Sequence, residues 1–180
     1  MSGHNKWSKI KHKKAASDAK KGKIFSIHVR LITIESKKAK GDKNAPGLRA
    51  VIERAKADNM PNDNIDRAVA KGAGTGAENF EEVLYEAYGP GGAAILIEGI
   101  TDNPNRTTPE IRHLLSSHGG NLGTQGSAAW AFVRTNNEWQ PTALVPLEEA
   151  DQESLLKLLE AIDDHDDVKN IVTNADLGEE

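Results

Sequence analysis

Positively charged side chains are concentrated near the start of this 180-residue chain. Nine Lys and Arg residues fall between positions 6 and 30, with one Trp and one His among the first of them. A Lys ammonium group is a compact charge that binds phosphate oxygens without fixing their geometry, so this pattern indicates contact with a polyanion. The candidate nucleic-acid-binding residues are Lys6, Trp7, Lys9, Lys11, His12, Lys13, Lys14, Lys20, Lys21, Lys23 and Arg30.

The net charge of -4 conceals a strong asymmetry along the chain. Residues 1–76 carry 18 Lys and Arg against 7 Asp and Glu, whereas residues 135–180 carry 2 against 13. A basic end of this kind is typical of a nucleic-acid-binding segment, and the acidic remainder keeps the molecule soluble. If the basic residues neutralised about six phosphates, the logarithm of affinity would fall against that of salt with a slope of about -5.

The basic segment also has less specific interpretations. Charge blocks often act only as solubilising tails, although few acidic residues interrupt this one. The ring of Trp7 can stack on an unpaired base or pack against the helices that follow. The acidic second half leaves open a protein-interaction module that binds basic partners.

Other patterns give weaker indications of a binding site. The second and third predicted helices suggest a helix-turn-helix, but Asp63 and Asp66 beside Arg67 and Lys71 suit a major-groove reader poorly. Residues 89–92 are glycine-rich, and no Lys-Ser/Thr pair follows them, so a hairpin is favoured over a phosphate loop. Residues 121–126 are interpreted as a tight helix-to-strand connection rather than a ligand loop.

Metal binding and catalysis have little support in the sequence. There is no Cys, and His113 and His118 are five positions apart, which turns them to different faces of a helix. The run from Asp163 to Asp167 lacks the glycine of a calcium loop and is interpreted as an exposed acidic turn. No nucleophilic triad stands out, so we predict no enzyme, no metal, no cofactor and no small-molecule substrate.

Hydrophobic periodicity predicts three helices in the first part of the chain. The first begins near Ser17, carries an apolar stripe at positions 24–34 and ends at Gly41. The second opens at Pro46, and the third stops at Gly72. Three short amphipathic helices make a small bundle, preceded by residues 1–16 as a mobile or locally helical arm.

The second part of the chain has a mixed pattern. Strands are predicted at 83–88, 93–100, 128–133, 143–147 and 168–173. One helix is predicted to begin at a capping box, Thr107 with Glu110, and to end at Gly119–Gly120; another covers about 150–162. This order predicts a split βαβ (ferredoxin-like) antiparallel sheet with helices on one face. The expected fold is therefore α+β with two domains, residues 1–76 and 77–180.

Several motifs resemble those of the YebC/PmpR family, and together they cover nearly the whole chain. They are Gly3–Trp7, Ile10–Lys13, Asp18, Lys20–Phe25, Tyr85–Gly92, Thr101–Asn103, Asn105–Thr107, Glu110–His113, Gly119–Gly123 and Asp166–Asn174. The resemblance implies a three-helix N-terminal domain and two α/β domains. It also implies a cytoplasmic DNA-binding transcriptional regulator, or a translation factor at the ribosome as described for other members, including mitochondrial relatives.

The chain departs from the family pattern at one place. Family members usually carry a long α/β segment between a strand ending near Val133 and the stretch Glu138–Pro141, and here only residues 134–137 separate the two. We interpret this as loss of the whole inserted third domain. A domain has its own core, so its loss at such a connection can leave the host core intact.

Our first hypothesis is thus a DNA-binding transcriptional regulator that contacts phosphates through its Lys-rich arm. The second is a translation factor that uses the same surface on ribosomal RNA. The charge pattern fits both because phosphate contacts carry no sequence information. No apolar run is long enough to cross a bilayer, so we expect a cytoplasmic protein without a membrane partner.

Overall fold

The computed structural model describes Trp7, Lys9–Lys11 and residues 17–178, which form two compact units. The helical unit consists of the described part of Ala16–Glu82 together with Ile100–Asn103. The α/β unit consists of Val83–Gly99, the described residues from Pro104 onward, Trp7 and Lys9–Lys11. The division after Glu82 differs from the predicted one after residue 76.

Three helices build the helical unit, as the sequence predicts: α1 (Asp18–Ala39), α2 (Pro46–Ala57) and α3 (Asn62–Ala73). The Ser17 side chain caps α1 by accepting a hydrogen bond from the backbone of Lys20. The bundle core is aliphatic and includes Ile32, Leu48, Ile52, Ala55, Ile65 and Ala68.

Gly72 lies one residue before the end of α3, close to the helix end that the sequence predicts, and it also has a packing role. It lies inside α3 and is buried, and a Cβ atom there would lie 2.6 Å from the carbonyl oxygen of Thr33. The Ser36 hydroxyl donates a 2.6 Å hydrogen bond to the carbonyl oxygen of Val69. The missing side chain therefore allows α3 to approach α1 closely.

The main sheet has four strands in the order β3-β1-β2-β7: β1 (Glu81–Tyr88), β2 (Ala94–Thr101), β3 (Asn121–Leu122) and β7 (Val168–Thr173). β1 pairs antiparallel with β3, and β2 pairs antiparallel with β7. The helix α4 (Pro104–Ser117) joins β2 to β3 with β1 lying between them. This arrangement is the predicted split βαβ connection.

Both faces of this sheet are covered. On one face, α4 and α5 (Glu149–Asp163) pack against Ile95 and Ile97 through side chains such as Leu115 and Leu159. On the other face, Ala94 and Leu96 join Phe132 in a second apolar cluster. β2 is therefore buried on both sides: the helices lie on one face, as the sequence predicts, and Ala128, Ala131 and Phe132 cover the other.

Residues 128–133 were predicted as a strand, and this prediction is wrong for most of them. Ala129–Ala131 form a 3-10 turn, and β4 (Phe132–Thr135) then pairs with β5 (Glu138–Pro141) as a separate hairpin. Asn136 and Asn137 join these strands with φ of 51° and 64°. Two left-handed residues form the tight turn that matches strand twist, and Asn tolerates this conformation.

Two further predictions need correction. The strand predicted at 143–147 is reduced to β6 (Val145–Pro146), which pairs in parallel with β8 (Ala175–Asp176). The capping box is wrong, because α4 begins at Pro104 and Thr107 lies inside it. The Thr107 hydroxyl instead donates a hydrogen bond to Asp167. This bond compensates for the loss of water around the buried hydroxyl. Among the described residues, no helix has an apolar stretch long enough to cross a membrane.

Candidate nucleic-acid interface

The structure describes seven of the eleven predicted binding residues. Lys6, His12, Lys13 and Lys14 lie outside the described part of the chain. Trp7, Lys9 and Lys11 have helical backbone and belong to the α/β unit. Lys20, Lys21, Lys23 and Arg30 all lie on α1. The described candidates are therefore divided between the two units.

The first turns of α1 carry three of the predicted cations. Lys21 is exposed, and Lys20 and Lys23 are half-buried. A helix N-terminus already has partial positive charge, so cations there do not stabilise the helix. Asp18 is the only acidic residue in the first turn of α1. The combined positive potential favours an anion such as phosphate at this end.

Arg30 is engaged within the helical unit. Its Nη1 donates a 2.8 Å hydrogen bond to the carbonyl oxygen of Ile100, and its guanidinium lies 5.5 Å from the centre of the Phe80 ring. Both contacts orient the side chain, and the hydrogen bond uses part of its donor capacity. Arg30 therefore contributes to the structure of the helical unit.

Trp7 is buried in the α/β unit, with an exposed fraction of 4%. It belongs to the apolar cluster that contains Leu115, Leu159 and Ile171, and Ile10 packs against the same cluster. Of the two interpretations offered by the sequence, neither stacking on a base nor packing on the bundle describes this position. No sequence pattern indicates this position, because the contact joins residues that are far apart in the chain.

Lys11 is held by polar groups of the α/β unit. Its Nζ donates a 2.8 Å hydrogen bond to Oδ1 of Asn170. Burial lowers the pKa of Lys11 below its ordinary value, while the charges of Asp163 and Glu98 oppose that shift. Lys11 thus has protein partners of its own in this structure.

Farther along the helical unit, cations are paired with nearby carboxylates. Lys43 lies 2.6 Å from Asp66, and Lys71 lies 2.7 Å from Glu78. A hydrogen bond from Lys38 to Glu35 raises the pKa of this lysine. These three lysines are therefore engaged with carboxylates of the protein in this structure.

Sequence reasoning missed the role of Glu86. This buried carboxylate accepts hydrogen bonds from the backbone N–H groups of Gly126, Ala128 and Ala129 at 2.5, 3.0 and 2.6 Å. Burial by itself would raise the pKa of Glu86, but the three backbone donors outweigh it and lower the pKa. Glu86 therefore holds the loop that follows β3, from the end of the glycine-rich stretch at Gly126 to Ala129.

Trp130 is the most exposed large apolar side chain among the described residues, at 71%. Its indole Nε1 donates to the carbonyl oxygen of Ser127 at 2.9 Å and approaches the Tyr88 hydroxyl at 3.3 Å. The ring is thus exposed and also held in a fixed orientation. This combination suits stacking on a planar ligand.

The acidic run at 163–167 is only partly the exposed turn that was predicted. Asp167 is buried, and its Oδ2 accepts from Arg106 Nη2 and from the Thr107 hydroxyl, each at 2.7 Å. Two donors satisfy this oxygen and compensate for burial of the charge.

Glu110, His165 and Asp167 have potential metal ligand atoms within 4.8 Å of one another. The backbone N–H of Asp167 donates to His165 Nδ1, which leaves Nε2 as the donor to Glu110 at 2.7 Å. Arg106 also forms a salt bridge with the Asp167 carboxylate. These groups are already bonded to one another, so the geometry supports a polar network better than a cation site.

Two parts of the chain match domains of the same protein family. Residues 5–75 match the TACO1/YebC protein N-terminal domain, and residues 80–137 and 133–175 match the TACO1/YebC second and third domain. This chain belongs to the TACO1/YebC family. The match confirms the resemblance seen in the sequence motifs.

Relatives of known sequence agree with this assignment. A probable transcriptional regulatory protein of Desulfosudis oleivorans is 37% identical over 241 aligned positions, covering 99% of this chain and 98% of the relative. One with the same description from Kosmotoga olearia is 48% identical over 178 residues, covering 96% of this chain and 70% of the relative. A conserved hypothetical protein from Aquifex aeolicus has a similar crystal structure, with a TM-score of 0.85, 32% identity, and coverage of 97% and 98%.

The same comparisons locate the segment that this chain lacks. The alignment with the Desulfosudis oleivorans protein has 241 positions, more than the 180 residues present here. The two matched parts of the second and third domains meet at residues 133–137, which are the end of β4 and the turn into β5. In this member of the TACO1/YebC family, a two-residue turn connects the strands at that position.

Proposed function

We propose that this protein binds nucleic acid and regulates gene expression in the cytoplasm, without catalytic activity. The observation that carries the proposal is the excess of 18 basic over 7 acidic residues in positions 1–76. The names of the relatives, probable transcriptional regulatory proteins, support a regulatory role.

The proposed phosphate contacts come from lysines before and at the start of α1. They are Lys6, Lys9, Lys13, Lys14, Lys20, Lys21 and Lys23, with His12 between them. Trp7, Lys11 and Arg30, which the sequence also suggested, have contacts of their own within the protein. Through these contacts, Trp7 and Lys11 position the segment that they belong to on the α/β unit, and Arg30 stabilises the helical unit.

The first candidate target is double-stranded DNA, and the protein would then act as a transcriptional regulator. Backbone phosphates supply a large share of affinity in such complexes and require only clustered cations. The third helix is a poor reader of bases, because Lys43 binds Asp66 and Arg67 donates to a backbone oxygen of α3 itself. Specificity would thus come from DNA shape or from another protein.

The second candidate target is RNA at the ribosome, and one observation favours it. The exposed and fixed ring of Trp130 suits an unpaired base, which RNA loops offer and duplex DNA does not. Trp130→Ala should weaken binding of single-stranded RNA and leave duplex DNA binding unchanged if RNA is the target.

The test of phosphate binding uses matched pairs of cations. Lys13→Ala with Lys14→Ala removes two charges from the proposed segment, and Arg54→Ala with Lys56→Ala removes two exposed charges from α2. Fluorescence anisotropy against short duplex DNA and single-stranded RNA gives affinity at several salt concentrations. The first variant should flatten the salt slope by about 2 and the second by much less. Equal slopes would refute the assignment.

A second experiment distinguishes the two targets. Co-sedimentation with ribosomes in low salt, without preference for any promoter fragment, would refute the transcription hypothesis. Protection of one defined promoter region without ribosome association would refute the translation hypothesis.

A further inference from the structure

The α/β unit binds part of the segment that carries the basic residues. Trp7 is buried in the helix-facing core of this unit, and Ile10 packs against the same core. Three positions along a helical stretch, Trp7, Ile10 and Lys11, thus face one surface of the unit. An apolar anchor of this size gives a short segment a defined position.

Polar contacts continue the apolar anchor. Lys11 donates to Oδ1 of Asn170, and Nδ2 of Asn170 donates to Oε2 of Glu98 at 3.1 Å. Asn170 lies on β7 and Glu98 on the neighbouring β2, where the two residues are paired in register. The amide therefore connects the ammonium group of Lys11 to a carboxylate across the sheet.

The charge of the α/β unit suits a basic segment. Residues 77–180 carry 5 basic and 20 acidic residues, and Asp163 and Glu98 both attract Lys11. A nucleic-acid backbone presents the same sign of charge to the same lysines. The protein surface and a phosphate backbone are therefore alternative partners for Lys11.

We propose that this docked segment is an autoinhibitory contact, in which the α/β unit competes with nucleic acid for the basic N-terminal residues. Docking through Trp7, Ile10, Lys11 and Asn170 withholds one cation from phosphate. Release of the segment adds that cation to the phosphate-binding set. The docking rests on the structure alone, and its regulatory consequence rests on the proposed function.

The first test releases Lys11 and compares a charge-matched control. Glu98→Gln with Asn170→Ala removes one negative charge and the hydrogen-bond acceptor, whereas Glu153→Gln removes the same charge from an exposed position on α5. One added phosphate contact should steepen the salt slope by about 1 and raise affinity about eightfold at 0.1 M salt. Thermal unfolding of both variants reports whether the fold survives. Equal affinities for the release variant and the control would overturn the proposal.

The second test measures docking without nucleic acid. In a Trp130→Phe, Trp139→Phe background, Trp7 is the remaining tryptophan, and its quenching by acrylamide reports its exposure. Trp7 should be protected in this background and become more accessible after Glu98→Gln with Asn170→Ala. Quenching equal to that of a free indole before release would overturn the docking.

The two tests separate this inference from the proposed function. Protected Trp7 together with no affinity of any variant for DNA or RNA would refute the proposed function and the competition, while leaving the docking intact. Accessible Trp7 together with normal binding would refute the docking alone.

Discussion

The helical unit and the α/β unit use charged residues differently. In the helical unit, pairs such as Arg49–Glu53 and Lys43–Asp66 join side chains that are all more than half exposed. In the α/β unit, Glu86 and Asp167 are buried and receive several donors each. Exposed pairs contribute little to stability, whereas buried carboxylates are costly to leave without donors.

The charged residues of the two halves of the chain differ in how far they indicate a binding partner. The acidic total of the second half includes carboxylates that hold loops and helices together, so a structural role accounts for part of it. Three basic residues of the first half, Lys20, Lys21 and Lys23, are exposed or half-buried at the start of α1. The positive charge near the start of the chain therefore indicates a binding partner more strongly than the negative charge of the second half.

The largest expected effect is the loss of a buried carboxylate. Asp167→Ala removes the acceptor of Arg106 and Thr107 and should lower the free energy of unfolding by about 3 kcal/mol. Arg106 is 43% exposed, so water can replace part of the interaction that its guanidinium loses in this variant. Denaturant unfolding gives the value. Asp166→Ala, at the exposed neighbouring position, should change it by less than about 0.5 kcal/mol. Equal effects would contradict the contrast between the units.

A smaller effect with a pH signature is expected at Glu86. Glu86→Gln weakens three charge-assisted hydrogen bonds and should destabilise the protein by about 2 kcal/mol at neutral pH. Because the pKa of Glu86 is lowered in the folded state, its contribution is present above the ordinary Glu pKa of about 4.3 and is lost as pH falls through the folded value.

Unfolding measured at several pH values checks this prediction. The difference between the original protein and Glu86→Gln should shrink on acidification, and Glu81→Gln at an exposed position of β1 serves as control. A difference that stays constant down to low pH would show that the charge of Glu86 is unimportant.

Some secondary-structure elements could be predicted from the sequence and others could not. Helices α1, α2 and α5 and strands β2 and β7 were predictable because each has its own apolar period and clear ends. The β4–β5 hairpin was not, since residues 128–133 form an apolar run that fits a strand or a turn equally well. The pattern of Thr107 with Glu110 predicts a cap wrongly, because the actual partner of Thr107 is Asp167, 60 residues away in the sequence.

The candidate site was predictable in its charge and less so in its geometry. Lys20, Lys21 and Lys23 lie together on α1 as a helical spacing requires. Trp7 and Lys11 are bound by the α/β unit, and a pattern of residue types contains no information about contacts across 159 positions such as Lys11 with Asn170.

The smallest expected effect lies on the exposed surface of α2. Arg49 and Glu53 are 70% and 65% exposed, so Arg49→Ala should change stability by about 0.3 kcal/mol. A double-mutant cycle with Glu53→Ala isolates the pair energy. A coupling above about 1 kcal/mol would show that surface pairs in the helical unit are as structural as the buried carboxylates.

The most direct test of the central claim is the affinity of the purified protein for DNA and RNA as ionic strength is varied. The account predicts binding at modest salt that weakens with a slope of about -5 and flattens when Lys13 and Lys14 are replaced. No detectable binding to either nucleic acid at low ionic strength would contradict it.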